Sequence, residues 1–190
     1  MRLFRISLLA LALATAPVAL AVLAPGAACA QATPAKIATG VQIVTNLHLY
    51  DLLLYGGRIG VMKNEALANL PQADKDRILV LFGEEMSTRR SDTIRLMAEA
   101  NVAPYSVQQL NDLLDLSKIK YVQDLVLAGG DASLATPNEN SMTAAERALF
   151  TRLMAESWVI DFFTKFDYST AAPNVAAAAQ AAMTRYEAGT

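Results

Sequence analysis

The chain is poor in the residues that most often carry chemistry: one cysteine, one histidine and one tryptophan in 190 residues, with aromatics at 7% and charged residues at 18%. Two of these scarcities exclude function classes. A lone Cys29 rules out a disulfide framework and a thiolate metal site, and a lone His48 leaves zinc without the three or four ligands it needs. Nine glycines and seven prolines are too few for a collagen-like or low-complexity chain. A formal net charge of −2 gives no electrostatic pull toward nucleic acid or anionic lipid. What the chain does have is apolar residues, 54% of it, which excludes disorder and allows one well-filled core.

The first thirty residues read as a secretory signal. Arg2 and Arg5 form a positive start, Ile6 to Leu23 an almost uncharged apolar run, and Pro25-Gly26 precede Ala28-Cys29-Ala30, whose small residues suit cleavage before Gln31. Ala30-Gln31-Ala32 offers a second cleavage site. The 18-residue run could also serve as a retained anchor, although Ser7, Thr15 and Pro17 weaken it. Acylation of Cys29 in a lipoprotein is a minor alternative, because Gly26 stands where such signals carry leucine. Cleavage after Ala30 leaves 160 residues with no transmembrane helix and no thiol, and moves the net charge from −2 to −4. The expected location is the periplasm or the medium.

Residues 31–190 read as a single all-α domain, a compact bundle of about five to six helices. Thr33-Pro34 is a capping hydroxyl followed by a first-turn proline, and Ile37, Val41, Val44 and Leu47 then hold helical spacing to about Leu54. Gly56-Gly57 is expected to interrupt. A second helix is predicted over 58–70 up to Pro71, with Ile59, Met62, Ala66 and Leu70 on one stripe; a third runs from Asp74 to about Asn101, its stripe broken by Arg90. Ser106-Val107-Gln108-Gln109 and Thr143-Ala144-Ala145-Glu146 are capping boxes that open two further helices. The first is closed by Gly129-Gly130 and followed by a polar loop; the second continues to Phe166, and an alanine-rich helix over 173–186 ends the pattern. No run alternates at period two for long enough to demand a sheet.

One internal echo stands at an offset of 37 residues. It pairs Ser106 with Thr143, Gln109 with Glu146, Leu116 with Leu153, Tyr121 with Trp158 and Asp124 with Asp161.

The stretch from Tyr105 through Ser106, Gln109, Leu110, Leu113, Leu114 and Leu116 to Ser117 resembles the exported proteobacterial helical domain of unknown function numbered twenty fifty-nine. The shared hallmark is an aromatic residue, a hydroxyl cap and a leucine-rich helix ending near a break. Where that family tends to have Pro and later Gly, this chain has Lys118 and Lys120. The resemblance spans residues 58–166 and implies an exported helical bundle, with no catalytic residue to carry over.

Few residues invite a catalytic reading. Thr45, His48 and Asp51 fall at spacings of three on a helix, yet backbone N–H groups there are consumed by the helix and form no oxyanion hole. Gly56-Gly57-Arg58-Ile59-Gly60 lacks the full spacing of a phosphate loop. Glu84 and Glu85 point about 100° apart, and Glu85–Arg89 and Asp161–Lys165 are placed for ion pairs on solvated faces. No cofactor is implied. The richest feature is the apolar stripe Phe150, Met154, Trp158, Phe162 and Phe166, which serves either as core or as a groove for an apolar ligand or partner helix. The leading expectation is a non-enzymatic exported protein that binds a protein or cell-envelope component. An envelope-polymer hydrolase using carboxylates and a carrier of an apolar small molecule remain as alternatives.

Overall fold

In the computed structural model, residues 32–131 and 134–189 are described. The stretch read as a secretory signal, the expected cleavage site and Cys29 lie outside them. Among the described residues the structure is all-helical: α1 (Pro34–Asn46), α2 (Leu49–Met62), α3 (Gln72–Thr88), α4 (Arg90–Val102), α5 (Val107–Ser117), α6 (Lys120–Gly130), α7 (Ala144–Met154), α8 (Ser157–Thr164) and α9 (Ala172–Glu187). Short 3-10 turns occupy Glu65–Leu67, Glu139–Ser141 and Ser169–Ala171.

Nine segments replace the expected five or six because four of the long predicted helices are each cut once. The first cut follows Leu47: His48 adopts φ 56°, ψ 28°, the one non-glycine in the left-handed region among the described residues. The second falls at Arg89, whose φ of −100° and ψ of 4° separate α3 from α4. The others fall at Lys118–Ile119 and Ala155–Glu156.

Conversely, Gly56-Gly57 does not interrupt; both lie inside α2, and the predicted helix over 58–70 is the end of α2 plus one 3-10 turn. The reason at Gly57 is packing. A Cβ there would stand 2.8 Å from the Phe82 ring of α3, so the glycine lets the two helices close up. Gly40 does the same for α1 against Val102 and Ala98 of α4.

The caps act as read. Thr33 accepts from Lys36 N, and both capping boxes are complete, with Ser106 and Gln109 exchanging bonds across α5's first turn and Thr143 and Glu146 across α7's. The offset of 37 extends to the backbone. Lys118 (φ −82°, ψ −16°) and Ile119 (φ −72°, ψ 118°) match Ala155 (φ −80°, ψ −14°) and Glu156 (φ −84°, ψ 123°). Ile119 N donates to Leu116 O at 3.2 Å as Glu156 N does to Leu153 O at 3.0 Å. Residues 106–127 and 143–164 therefore follow one helix–break–helix plan.

α1 runs along α4 and α5, α3 lies against α9 and α2, and α7 packs on α5 and α8. One buried cluster draws on all nine helices, from Ile43 and Leu53 through Phe82, Met97, Leu113 and Val122 to Leu153, Phe162 and Ala178. Polar ties cross the seams. Arg185 of α9 reaches Glu84 at 2.9 Å and Glu85 at 3.3 Å on α3, while Glu85 also holds Arg89 at 2.7 Å. These guanidinium groups, Arg89 first, hold the Glu85 carboxyl below its ordinary range. Glu85 is thus largely covered rather than on an open solvated face. Arg90, the break in the predicted stripe, lies 4.5 Å over the Tyr50 ring and 3.5 Å from Asp51, joining α4 to α2.

Candidate functional site

The five stripe residues do not form one continuous face, because the cut at Ala155–Glu156 re-aims the chain between them. Phe150 meets Tyr121 of α6 edge-on at 5.5 Å, and Met154 is half-buried against the core. Beyond the cut, Phe162 is buried and contacts Tyr105 (5.7 Å), Phe163 (5.4 Å) and Phe166 (5.5 Å). Phe166 in turn meets Tyr168 at 4.9 Å. Phe162 and Phe166 also close a tight apolar seam against Gly40, Val44, Ala98 and Val102. Trp158 is half-buried, its ring 6.2 Å from that of Tyr105 and tilted 56° to it.

This aromatic string borders a cavity of about 360 Å³ between the end of α4 and α8. Its walls are Tyr105, Trp158, Phe162 and Pro104, and its polar lining is Asn101, Asp161, Lys165 and Asp167. Three local causes place these groups. Pro104 cannot continue α4, so Tyr105 turns out of the helix ahead of the Ser106 cap. The ψ of 123° at Glu156 starts α8 afresh and sets Trp158, Asp161, Phe162 and Lys165 on successive turns. Asn101, 9% exposed, fixes the chain after α8: its Nδ2 donates to Met97 O (2.8 Å) and Asp167 O (3.0 Å), and its Oδ1 accepts from Asp167 N (2.7 Å).

The charges divide unevenly. Lys165 is tied to Asp161 at 2.9 Å, as its spacing implied, whereas among the described residues the Asp167 carboxylate accepts only from Ser169 N, at 2.8 Å, and meets no cation. Burial, with a smaller push from Asp161, raises the Tyr105 hydroxyl above its ordinary value. Burial alone pushes Tyr168 up to about 12.

The other sequence candidates resolve differently. His48 stands at a break rather than in mid-helix; its Nδ1 lies 3.0 Å from Asp51 Oδ2, but the Thr45 hydroxyl donates to Val41 O at 2.7 Å, so no Thr–His–Asp relay assembles. Among the described residues no group of three or more His, Cys, Asp or Glu side chains could hold a metal ion, and no helix is long and apolar enough to cross a membrane.

Asn101 and Asp167 carried no sequence signal, since they meet across 66 residues. Tyr105 was visible only as the aromatic that opens the resemblance stretch. In comparisons with known proteins, the chain matches no family model, no curated protein and no solved structure. The resemblance of Tyr105–Ser117 to the exported helical domain therefore rests on those residues.

Proposed function

We propose that this is an exported helical protein that acts by binding another protein or a cell-envelope component, without catalysis, and that it binds at the aromatic cavity between α4 and α8. The observation that carries the reading is the cavity itself: two aromatic rings and a buried Phe floor beside a few fixed polar groups is the usual make-up of a ligand site. Export rests on Arg2, Arg5, the Ile6–Leu23 run and Ala28-Cys29-Ala30, and the family resemblance of Tyr105–Ser117 points the same way.

The test is retention of a partner from a membrane-plus-periplasm extract by the native protein and by a Tyr105→Ala/Trp158→Ala variant of unchanged helicity. Capture by the native protein and loss by the variant is expected. A native protein that retains nothing under gentle crosslinking contradicts the proposal. N-terminal sequencing tests export: Gln31 is expected, a lipidated Cys29 moves the cleavage site but keeps export, and a cytosolic chain still beginning at Met1 contradicts it.

A second reading, the carboxylate hydrolase, is favoured by one observation, that Asp161 and Asp167 line the same cavity. Release of soluble fragments from isolated envelope polymer, abolished in Asp167→Asn, would replace binding with hydrolysis.

A further inference from the structure

We propose that the α4–α8 cavity is a binding site for an organic ammonium group. The inference rests on the binding reading above and adds the chemistry of the ligand. The one unpaired charge among the described residues of the cavity lining is negative. Asn101 has spent its donor and acceptor on Met97 and Asp167 backbone groups, and Lys165, the one cation of the lining, is held by Asp161. What remains is the unpaired carboxylate of Asp167, the second oxygen of Asp161, and the neutral Trp158 indole N–H and Tyr105 hydroxyl.

With Lys165 paired to Asp161, the Asp167 carboxylate leaves the lining net negative, which disfavours a phosphate, sulfate or carboxylate ligand. The two carboxylates are also too few for a hard metal cation, which takes six or more oxygens and has no use for aromatic walls. A group that carries a positive charge and has an apolar stem matches the unpaired charge and the rings: the ammonium meets Asp167, its charge lies near the Tyr105 and Trp158 rings, and the stem lies on Phe162 and Pro104. A cavity of about 360 Å³ holds such a group on a short chain, either a free alkylamine or a lysyl side chain of a partner.

Trp158 is the sole tryptophan, so its emission reports on this cavity alone. The purified protein is titrated with n-pentylammonium chloride, with Nα-acetyl-lysinamide as the lysyl arm, and with 1-pentanol as the neutral match, at constant ionic strength. A saturable change with either cation and none with the alcohol is expected, and the tighter of the two cations names the source.

Asp167→Asn keeps the acceptor for Ser169 N and should weaken binding about threefold to fivefold, the effect of one exposed charge pair. Lys165→Gln frees Asp161 and should tighten it. An equal response to pentanol overturns the ammonium inference and leaves the binding reading standing. No response to any probe overturns the inference, while the extract capture still judges that reading. Cation binding unchanged in both Asp167→Asn and Lys165→Gln removes the site from this cavity.

Discussion

Replacing Asn101 with Ala should be among the costliest polar substitutions in the chain, and the structure says by how much. Three hydrogen bonds go, but they differ in value. The Met97 carbonyl lies within α4, where its helical bond also serves it, so losing the side-chain bond matters little. The Asp167 N–H and C=O are tied to Asn101 across 66 residues, and each loses a partner in a part-buried place. A buried group left unsatisfied costs about 1–3 kcal/mol, and the exposed Asp167 side chain lets water reach part of the gap, so about 2–4 kcal/mol in all is expected. With an m-value of about 2 kcal/mol/M, the urea midpoint falls by about 1–2 M. Equilibrium urea unfolding by far-UV circular dichroism measures it. A loss under about 0.5 kcal/mol would refute the argument that this carboxamide, rather than apolar packing alone, holds the post-α8 segment and the cavity rim in place.

His48 occupies left-handed backbone at a cost of roughly 1 kcal/mol, and its partly exposed pair with Asp51 returns less than that. His48→Gly should therefore raise thermal stability slightly, and His48→Val should lower it. Gly56 and Gly60 have open space where a Cβ would go, so alanine at either should stabilise by about 0.5–1 kcal/mol, while Gly57→Ala meets Phe82 and should destabilise; chemical denaturation separates the three. Ser106→Ala and Thr143→Ala should each cost about 1 kcal/mol and by similar amounts, because the caps they remove share one geometry. Tyr168 ionises near 10 when unfolded and at about 12 when folded, so the unfolded chain binds fewer protons in between. Stability is then level below pH 10 and falls by about 1.4 kcal/mol per pH unit up to 12. Alkaline unfolding of Tyr168→Phe should lack that component.

Helix starts were legible because they are local. Thr33, Ser106 and Thr143 each announce a first turn within four residues, and each cap forms. The cuts inside the long predicted helices were not, because Leu47–His48, Arg89, Lys118–Ile119 and Ala155–Glu156 contain neither Gly nor Pro. At Ile119 periodicity gives no warning: Leu116, Ile119 and Val122 are all buried at a spacing of three, which an unbroken helix also satisfies. The offset of 37 was the one hint, since both segments break at the same register.

Gly56-Gly57 misled in the opposite direction, as glycine there serves close approach to Phe82 rather than a turn. The same logic divides the candidate site. Trp158 and Phe162 line the cavity and Phe166 backs it, whereas Phe150 and Met154 sit before the cut and face elsewhere. The polar lining, Asn101 and Asp167 above all, depends on contacts between distant segments and left no periodic trace.

The most direct test of the binding claim is the Trp158 indole N–H resonance, a single signal in a ¹H–¹⁵N spectrum of this one-tryptophan chain. On adding fractionated envelope extract, it and the amides of residues 100–103, 105 and 161–167 should shift together while those of α3 and α9 stay in place. Shifts confined to other helices, or none at the Trp158 signal, would contradict the account.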